Sequence, residues 1–153
     1  MKLSEHFDLV EFTRSESAKR HGVSNDPTPE HLENIKILCE KVLEPVRVKF
    51  GPINISSGYR SKVLNHFIGG ALNSQHSVGQ AADIDMDGSS SGVTNVDIFN
   101  YIKDHVEFDQ LIWEFGDNNK PDWVHVSYNK KGNRKQVLRG LKDKGRTVYA
   151  VYK

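Results

Sequence analysis

The stretch Asp109-Gln110-Leu111-Ile112-Trp113-Glu114-Phe115, followed after Gly116-Asp117-Asn118-Asn119-Lys120-Pro121 by Asp122-Trp123-Val124-His125-Val126-Ser127-Tyr128, decides the fold class. Both segments alternate and are rich in β-branched and aromatic residues. The polar connection carrying Gly and Pro predicts an antiparallel hairpin. That pairing sets Glu114 opposite Trp123, and Trp123 shares a strand face with His125. Upstream, Ala81 to Met86 reads as a strand with Ala82, Ile84 and Met86 on one face and Ala81, Asp83 and Asp85 on the other. Ile53 to Ser56 predicts a further strand, and Thr147 to Tyr152 one that closes the sheet edge. Thr28 as N-cap and Pro29 in the first helical position open a helix whose apolar residues, Leu32, Ile35, Leu38, Cys39, Val42, Leu43 and Val46, recur at spacings of three and four. Val96, Ile98, Phe99, Ile102 and Val106 mark a second amphipathic helix. Shorter helices are expected from a Thr13 cap to His21, stopped by Gly22, and from Ser61 to Phe67. Helices interspersed with a mostly antiparallel sheet define an α+β fold with flanking helices.

The 153 residues contain no internal repeat, which predicts a single domain over 1–153. With 37% hydrophobic and 27% charged residues, a disordered or fibrous chain is excluded. The single cysteine, Cys39, sits on the helical stripe and reads as a core residue; it excludes an internal disulfide and a cysteine-rich zinc site. Any metal must therefore be held by His and carboxylates. No apolar run is long enough to span a bilayer and the first residues lack a signal peptide's apolar stretch, so synthesis in the cytoplasm without stable membrane association is expected. The formal net charge of +1 conceals an asymmetry, because residues 129–153 carry nine basic residues against Asp143 alone. This basic C-terminal segment reads either as a contact for an anionic polymer or as a solvated surface strand and loop. No helix-turn-helix or zinc-finger pattern accompanies it, so no nucleic-acid partner is expected.

Two of the seven histidines stand in settings unlike the others: His76 in a Gly-containing loop, seven residues before Asp83, and His125 within a strand. Small residues at Gly79, Ala81 and Ala82 allow the loop to fold back over its strand and bring His76 to Asp83. Two His and one Asp, with a fourth position open, suit a catalytic zinc. A loop His and a strand His are more often packed or surface residues than ligands, so spacing leaves both readings open. Asp85 is read as a support for a ligand or as a structural group.

The run Ser74-Gln75-His76-Ser77-Val78-Gly79-Gln80-Ala81-Ala82-Asp83 resembles the S-x-H-x-x-G-x-A-x-D signature of the zinc D-alanyl-D-alanine carboxypeptidase family, whose relatives include phage L-alanyl-D-glutamate endolysins and the Hedgehog signalling domain. Ser57-Gly58-Tyr59-Arg60-Ser61 is similar to that family's S-G-Y-R-S turn, and Trp123-Val124-His125-Val126-Ser127 to its W-x-H-x-S strand. Glu11-Phe12-Thr13-Arg14-Ser15 resembles the opening of its short phage and bacterial branch. The resemblance implies a Hedgehog/DD-peptidase-like fold, Zn2+ bound by His76, Asp83 and His125, and Arg60 acting on the scissile carbonyl or its oxyanion. It also implies substrate contacts from Ser57, Tyr59 and Ser74. Asp122, three residues before His125, and Glu114, at the end of the preceding strand, compete for the role of general base; the strand faces favour Glu114 unless the start of the second strand is bulged. The implied activity is hydrolysis of peptidoglycan stem peptides next to a D-amino acid by a monomer that acts on the wall after release, as in a phage-infected host. The alternative is a non-catalytic wall-binding or structural module on the same fold.

Overall fold

The computed structural model describes residues 1–153 as a six-stranded sheet packed on one face by helices. The helices are α1 (Val10–Thr13), α2 (Glu16–His21), α3 (Pro29–Leu38), α4 (Glu44–Phe50), α5 (Lys62–Phe67) and α6 (Asn95–His105). The strands are β1 (Ile55–Ser57), β2 (Ala81–Ile84), β3 (Gln110–Glu114), β4 (Trp123–Ser127), β5 (Gln136–Asp143) and β6 (Arg146–Val151), in the spatial order β1-β2-β4-β3-β5-β6. All neighbours are antiparallel except β3 and β5. The α+β reading therefore stands, and Glu114 pairs with Trp123 in the β3–β4 hairpin as the alternation predicted.

The predicted apolar stripe of the long helix is buried at Ile35, Leu38, Cys39, Val42, Leu43 and Val46. Burial pushes the Cys39 thiol well above its usual range, so it behaves as a core hydrophobe. Thr28 and Pro29 start the helix as expected, the Thr28 hydroxyl accepting from the His31 N–H at 3.2 Å. Between α3 and α4 the chain widens into a π-helical turn over Cys39–Leu43, just ahead of Pro45. Proline has no N–H and its ring collides with the carbonyl four residues back, and the wider turn relieves both while the stripe continues.

Three local expectations are corrected. The short helix before Gly22 is capped by Ser15, whose hydroxyl accepts from the Ala18 N–H at 3.1 Å; Thr13 instead ends α1 and its hydroxyl turns back to the Leu9 carbonyl. The first strand starts at Ile55 and is irregular against β2, because the bulge between Ile55 and Ser57 interrupts the pairing. The largest difference is in the basic segment. Only 147–152 was expected to be a strand, whereas β5 and β6 form a hairpin closed by Lys144 and Gly145, both at positive φ (51° and 79°), as a tight two-residue turn requires. Arg139, Gly140 and Lys142 interrupt the apolar alternation of β5 and conceal its strand period.

One face of the sheet, with Ala82, Ile84, Leu111, Trp113, Val124 and Val126, closes on the helices as the hydrophobic core. No helix is long and apolar enough to cross a membrane. The basic segment is fastened by Asp109, whose side chain is 2% exposed. Its two oxygens accept from Arg134 N, Nε and Nη2 at 2.8–3.0 Å, and Oδ2 also accepts from Gln75 Nε2 at 2.9 Å. These Arg134 hydrogen bonds outweigh desolvation and hold the Asp109 carboxyl down to about 2.

Asp109→Asn should therefore destabilise the fold by about 1–3 kcal/mol at neutral pH, the range for a buried group deprived of its partner. Because the folded value of about 2 lies below the ordinary 3.8, this stabilisation is present above the ordinary value and lost as pH falls through the folded one. Urea unfolding of both proteins as a function of pH checks it, the two curves converging towards the acid end.

Candidate metal centre

Opposite the core, the sheet pairs Asp83 of β2 with His125 of β4, and His125 in turn with Ile112 of β3. Strand alternation carries Asp83, His125 and Glu114 onto the same face. His76 arrives from a single turn of 3₁₀ helix, Gln75–Val78, whose first N–H groups are met by Ser74: its hydroxyl accepts from the His76 N–H at 3.2 Å. Gly79 ends the turn at φ 79°, and a Cβ there would lie 2.4 Å from the His31 carbonyl oxygen, so only glycine lets the loop return to β2.

His76 Nδ1 is 2.7 Å from the Gly58 carbonyl, which requires that nitrogen to carry the proton and leaves the Nε2 lone pair free. Nε2 lies 3.4 Å and His125 Nδ1 3.2 Å from the same Asp83 oxygen, Oδ1. All three donor atoms fall within 4.8 Å of one another. Burial alone would push the Asp83 carboxyl up; the adjoining His76 and His125 outweigh it and hold it well below the usual carboxylate range. Two imidazole nitrogens and an ionised carboxylate, one imidazole oriented by a backbone carbonyl behind it, match the donor chemistry of a three-residue zinc site with one position left open.

The group lies in a cavity of about 740 Å³ that Arg60, Ser74 and Glu114 also line. Arg60 is half-buried, with Nε lacking any partner among the protein's own groups. Glu114 is 4% exposed, and burial pushes its carboxyl up while His125 pulls it down. Asp122 does not join them. It is exposed and outside the cavity, because strand alternation turns it away from the face that Trp123 shares with His125; its backbone N–H donates to the Glu114 carbonyl at 2.9 Å in a regular hairpin with no bulge to redirect it.

The expected substrate contacts separate likewise. Ser74 lines the cavity although its hydroxyl is engaged in capping. Ser57 lies in a neighbouring cleft with Arg14 and Ser17. Tyr59 is buried in the core, its hydroxyl 2.9 Å from His31 Nδ1. Neither Ser57 nor Tyr59 lines the cavity; both border the neighbouring cleft, and Arg60 lines the two. Asp85 accepts from Asn95 Nδ2 and the Asp87 N–H at the end of β2, a structural arrangement. Sequence reading missed Lys142, Thr147 and Tyr149, which bring the β5–β6 hairpin into the cavity wall. The alternation of 147–152 was a signal for the last two, but their partner strand was hidden.

Among known families, the one described as Peptidase M15 matches residues 5–127, a span that contains all three metal-ligand candidates, Arg60 and Glu114. No curated protein matches the chain.

Zinc added to chelator-stripped protein should raise its melting temperature, by the equivalent of about 2.7 kcal/mol when the free ion is at 100 times its dissociation constant. The His76→Ala, His125→Ala double variant should show no such rise in differential scanning fluorimetry.

Proposed function

The chain belongs to the peptidase M15 family, and from that premise we propose that residues 1–153 form one zinc peptidase domain, monomeric, that hydrolyses peptidoglycan stem peptides next to a D-amino acid, as D-Ala-D-Ala carboxypeptidases or L-alanyl-D-glutamate endolysins do. The observation that carries the reading is the convergence of His76, Asp83 and His125 beside Glu114 and Arg60 in one cavity. Zinc held by the His76, Asp83 and His125 donor atoms supplies Lewis acidity, polarising a carbonyl and rendering a water acidic enough to lose its proton near neutral pH.

The chain's own residues do the rest. Glu114 accepts a proton from the attacking water as the water oxygen bonds to the carbonyl carbon, and returns it to the amide nitrogen as the C–N bond breaks. Its burial raises its proton affinity above that of an exposed carboxyl, which suits a group that must both take and give a proton. Arg60 offers N–H donors to the carbonyl oxygen as negative charge develops there, and its half-buried position makes those donors stronger than they would be in water. The cations of the β5–β6 hairpin add attraction for the anionic polymers of a cell wall. A module that merely bound the wall would gain nothing from burying Glu114 beside the donor group.

Purified peptidoglycan incubated with the protein should release peptide fragments identifiable by mass spectrometry. Glu114→Gln should lower cleavage by about 10² to 10⁴ without changing zinc content, and Asp122→Asn should stay near the parent. Wall binding with no fragment released by the parent protein would favour the non-catalytic module.

A further inference from the structure

The family match ends at residue 127, yet the sheet continues for two strands, and its pairing lays one row of residues across four of them. Trp123 of β4 pairs with Glu114 of β3, Glu114 with Gly140 of β5, and Gly140 with Tyr149 of β6. Glu114 and Tyr149 are thus separated in the sheet only by a residue without a side chain. The gap is used from both sides. A Cβ built on Gly140 would come within 3.1 Å of Glu114 Oε2 and 3.2 Å of Tyr149 Cε1. Nothing in the backbone conformation demands glycine at this position, because its φ is not positive. What its absent side chain provides is an open gap above β5, bounded on one side by Glu114 Oε2 and on the other by the edge of the Tyr149 ring, which lines the same cavity as Arg60.

We propose that Tyr149 is a positioning residue for hydrolysis: its hydroxyl donates to one oxygen of Glu114 across the Gly140 gap and aims the other oxygen at the cavity. The inference rests on the reading of Glu114 as proton acceptor. A carboxylate presents about four lone-pair sites on two oxygens, so one donor can fix its orientation while leaving an oxygen free to receive a proton. Glu114 can use such a partner, because its carboxyl is buried, none of the chain's side-chain hydrogen bonds ends on it, and the Tyr149 ring stands just across the gap. The phenol is also kept as a donor: burial and the neighbouring Glu114 push its ionisation up to about 12, so it retains its proton throughout the working range of a peptidase. The structural alternative is that the ring merely covers a bare glycine in a strand, a role that needs no hydroxyl.

Tyr149→Phe separates the two, because it keeps the ring and removes the donor. On a stem peptide that the parent cleaves, kcat should fall about 10- to 100-fold, the worth of a hydrogen bond to a charged group, with KM, zinc content and melting temperature little changed. Gly140→Ala, which fills the gap, should reduce kcat in the same way. In the Glu114→Gln background Tyr149→Phe should cost nothing more, since the group it positions is gone. Parental kcat in Tyr149→Phe, with Glu114→Gln inactive, would overturn the inference while leaving the proton-acceptor reading intact. An undiminished effect of Tyr149→Phe in the Glu114→Gln background would overturn it too, because the tyrosine would then act elsewhere. Parental activity in Glu114→Gln alone would overturn the proton-acceptor reading and this inference with it.

Discussion

Everything in the cavity depends on the register of β4. That strand is hydrogen-bonded on both sides, to β2 and to β3, and its side chains alternate between the helices and the cavity. A slip of one residue would carry His125 into the core and expose Val124 and Val126, both fully buried. Each buried valine contributes roughly 1.5 kcal/mol or more, so the core holds the register by several kcal/mol before any ligand is bound. The side chains of Asp83 and His125, two of the three metal-ligand candidates, are therefore set opposite each other by apolar packing on the far face of the sheet.

The third donor is held differently. His76 sits on a loop, and the chain clamps that loop at several points. Asn34 Nδ2 donates to the Val78 carbonyl at 2.8 Å, Ser74 caps the turn, and the His76 carbonyl accepts from the Arg60 N–H at 3.2 Å. The ring itself is fixed by Gly58, two residues before Arg60. Gly58 is in turn pressed against α1, where a Cβ would lie 2.7 Å from the Phe12 Cα. His76 and Arg60 are thus parts of one unit, so the backbone of Arg60 cannot move far without moving the loop imidazole. Coupling of this kind explains why the turn carrying Arg60 is so extensively bonded, with Asn25 joining Thr13, Tyr59 and Ser61 beneath it.

How much of this the sequence made legible follows from which forces are periodic. The alternation of 109–115 and 122–128 reports burial of one sheet face, and from it the hairpin and the Glu114–Trp123 pair could be read before any coordinates, whereas Asp122 stayed a rival to Glu114 because alternation alone does not exclude a bulge at the start of the second strand. The helical stripe was equally plain, but the π turn before Pro45 was not, because widening a helix by one residue leaves its apolar spacing nearly unchanged. Ser57 and Tyr59 lie in the same short turn as Arg60, and nothing in a run of adjacent residues says which of them faces the cavity; Tyr59 is taken by His31 and the core. The β5 strand escaped notice because a strand with one wet face and cations along it has the composition of a solvated tail. Gly140, at its centre, further weakens the pattern, since a missing side chain reads as a turn until its neighbours across the sheet are known.

That strand also alters how the cavity is built. The matched span brings the donor group, Arg60 and Glu114, but one wall of the cavity is β5 and β6, joined to β3 through a parallel pair and anchored where Arg134 enters the buried Asp109. Asp109 lies just before β3, whose far end is Glu114, and it also accepts from Gln75 in the turn that holds His76. A single buried carboxylate thus ties together the loop that carries one metal-ligand candidate, the strand that carries Glu114 and the hairpin beyond the family span. Parallel pairing is slightly less favourable per residue than antiparallel pairing, and here the Asp109–Arg134 bonds and the antiparallel β6 support the parallel pair of β3 and β5. The hairpin is therefore better understood as part of the cavity than as a basic appendage, because Lys142, Thr147 and Tyr149 all line it.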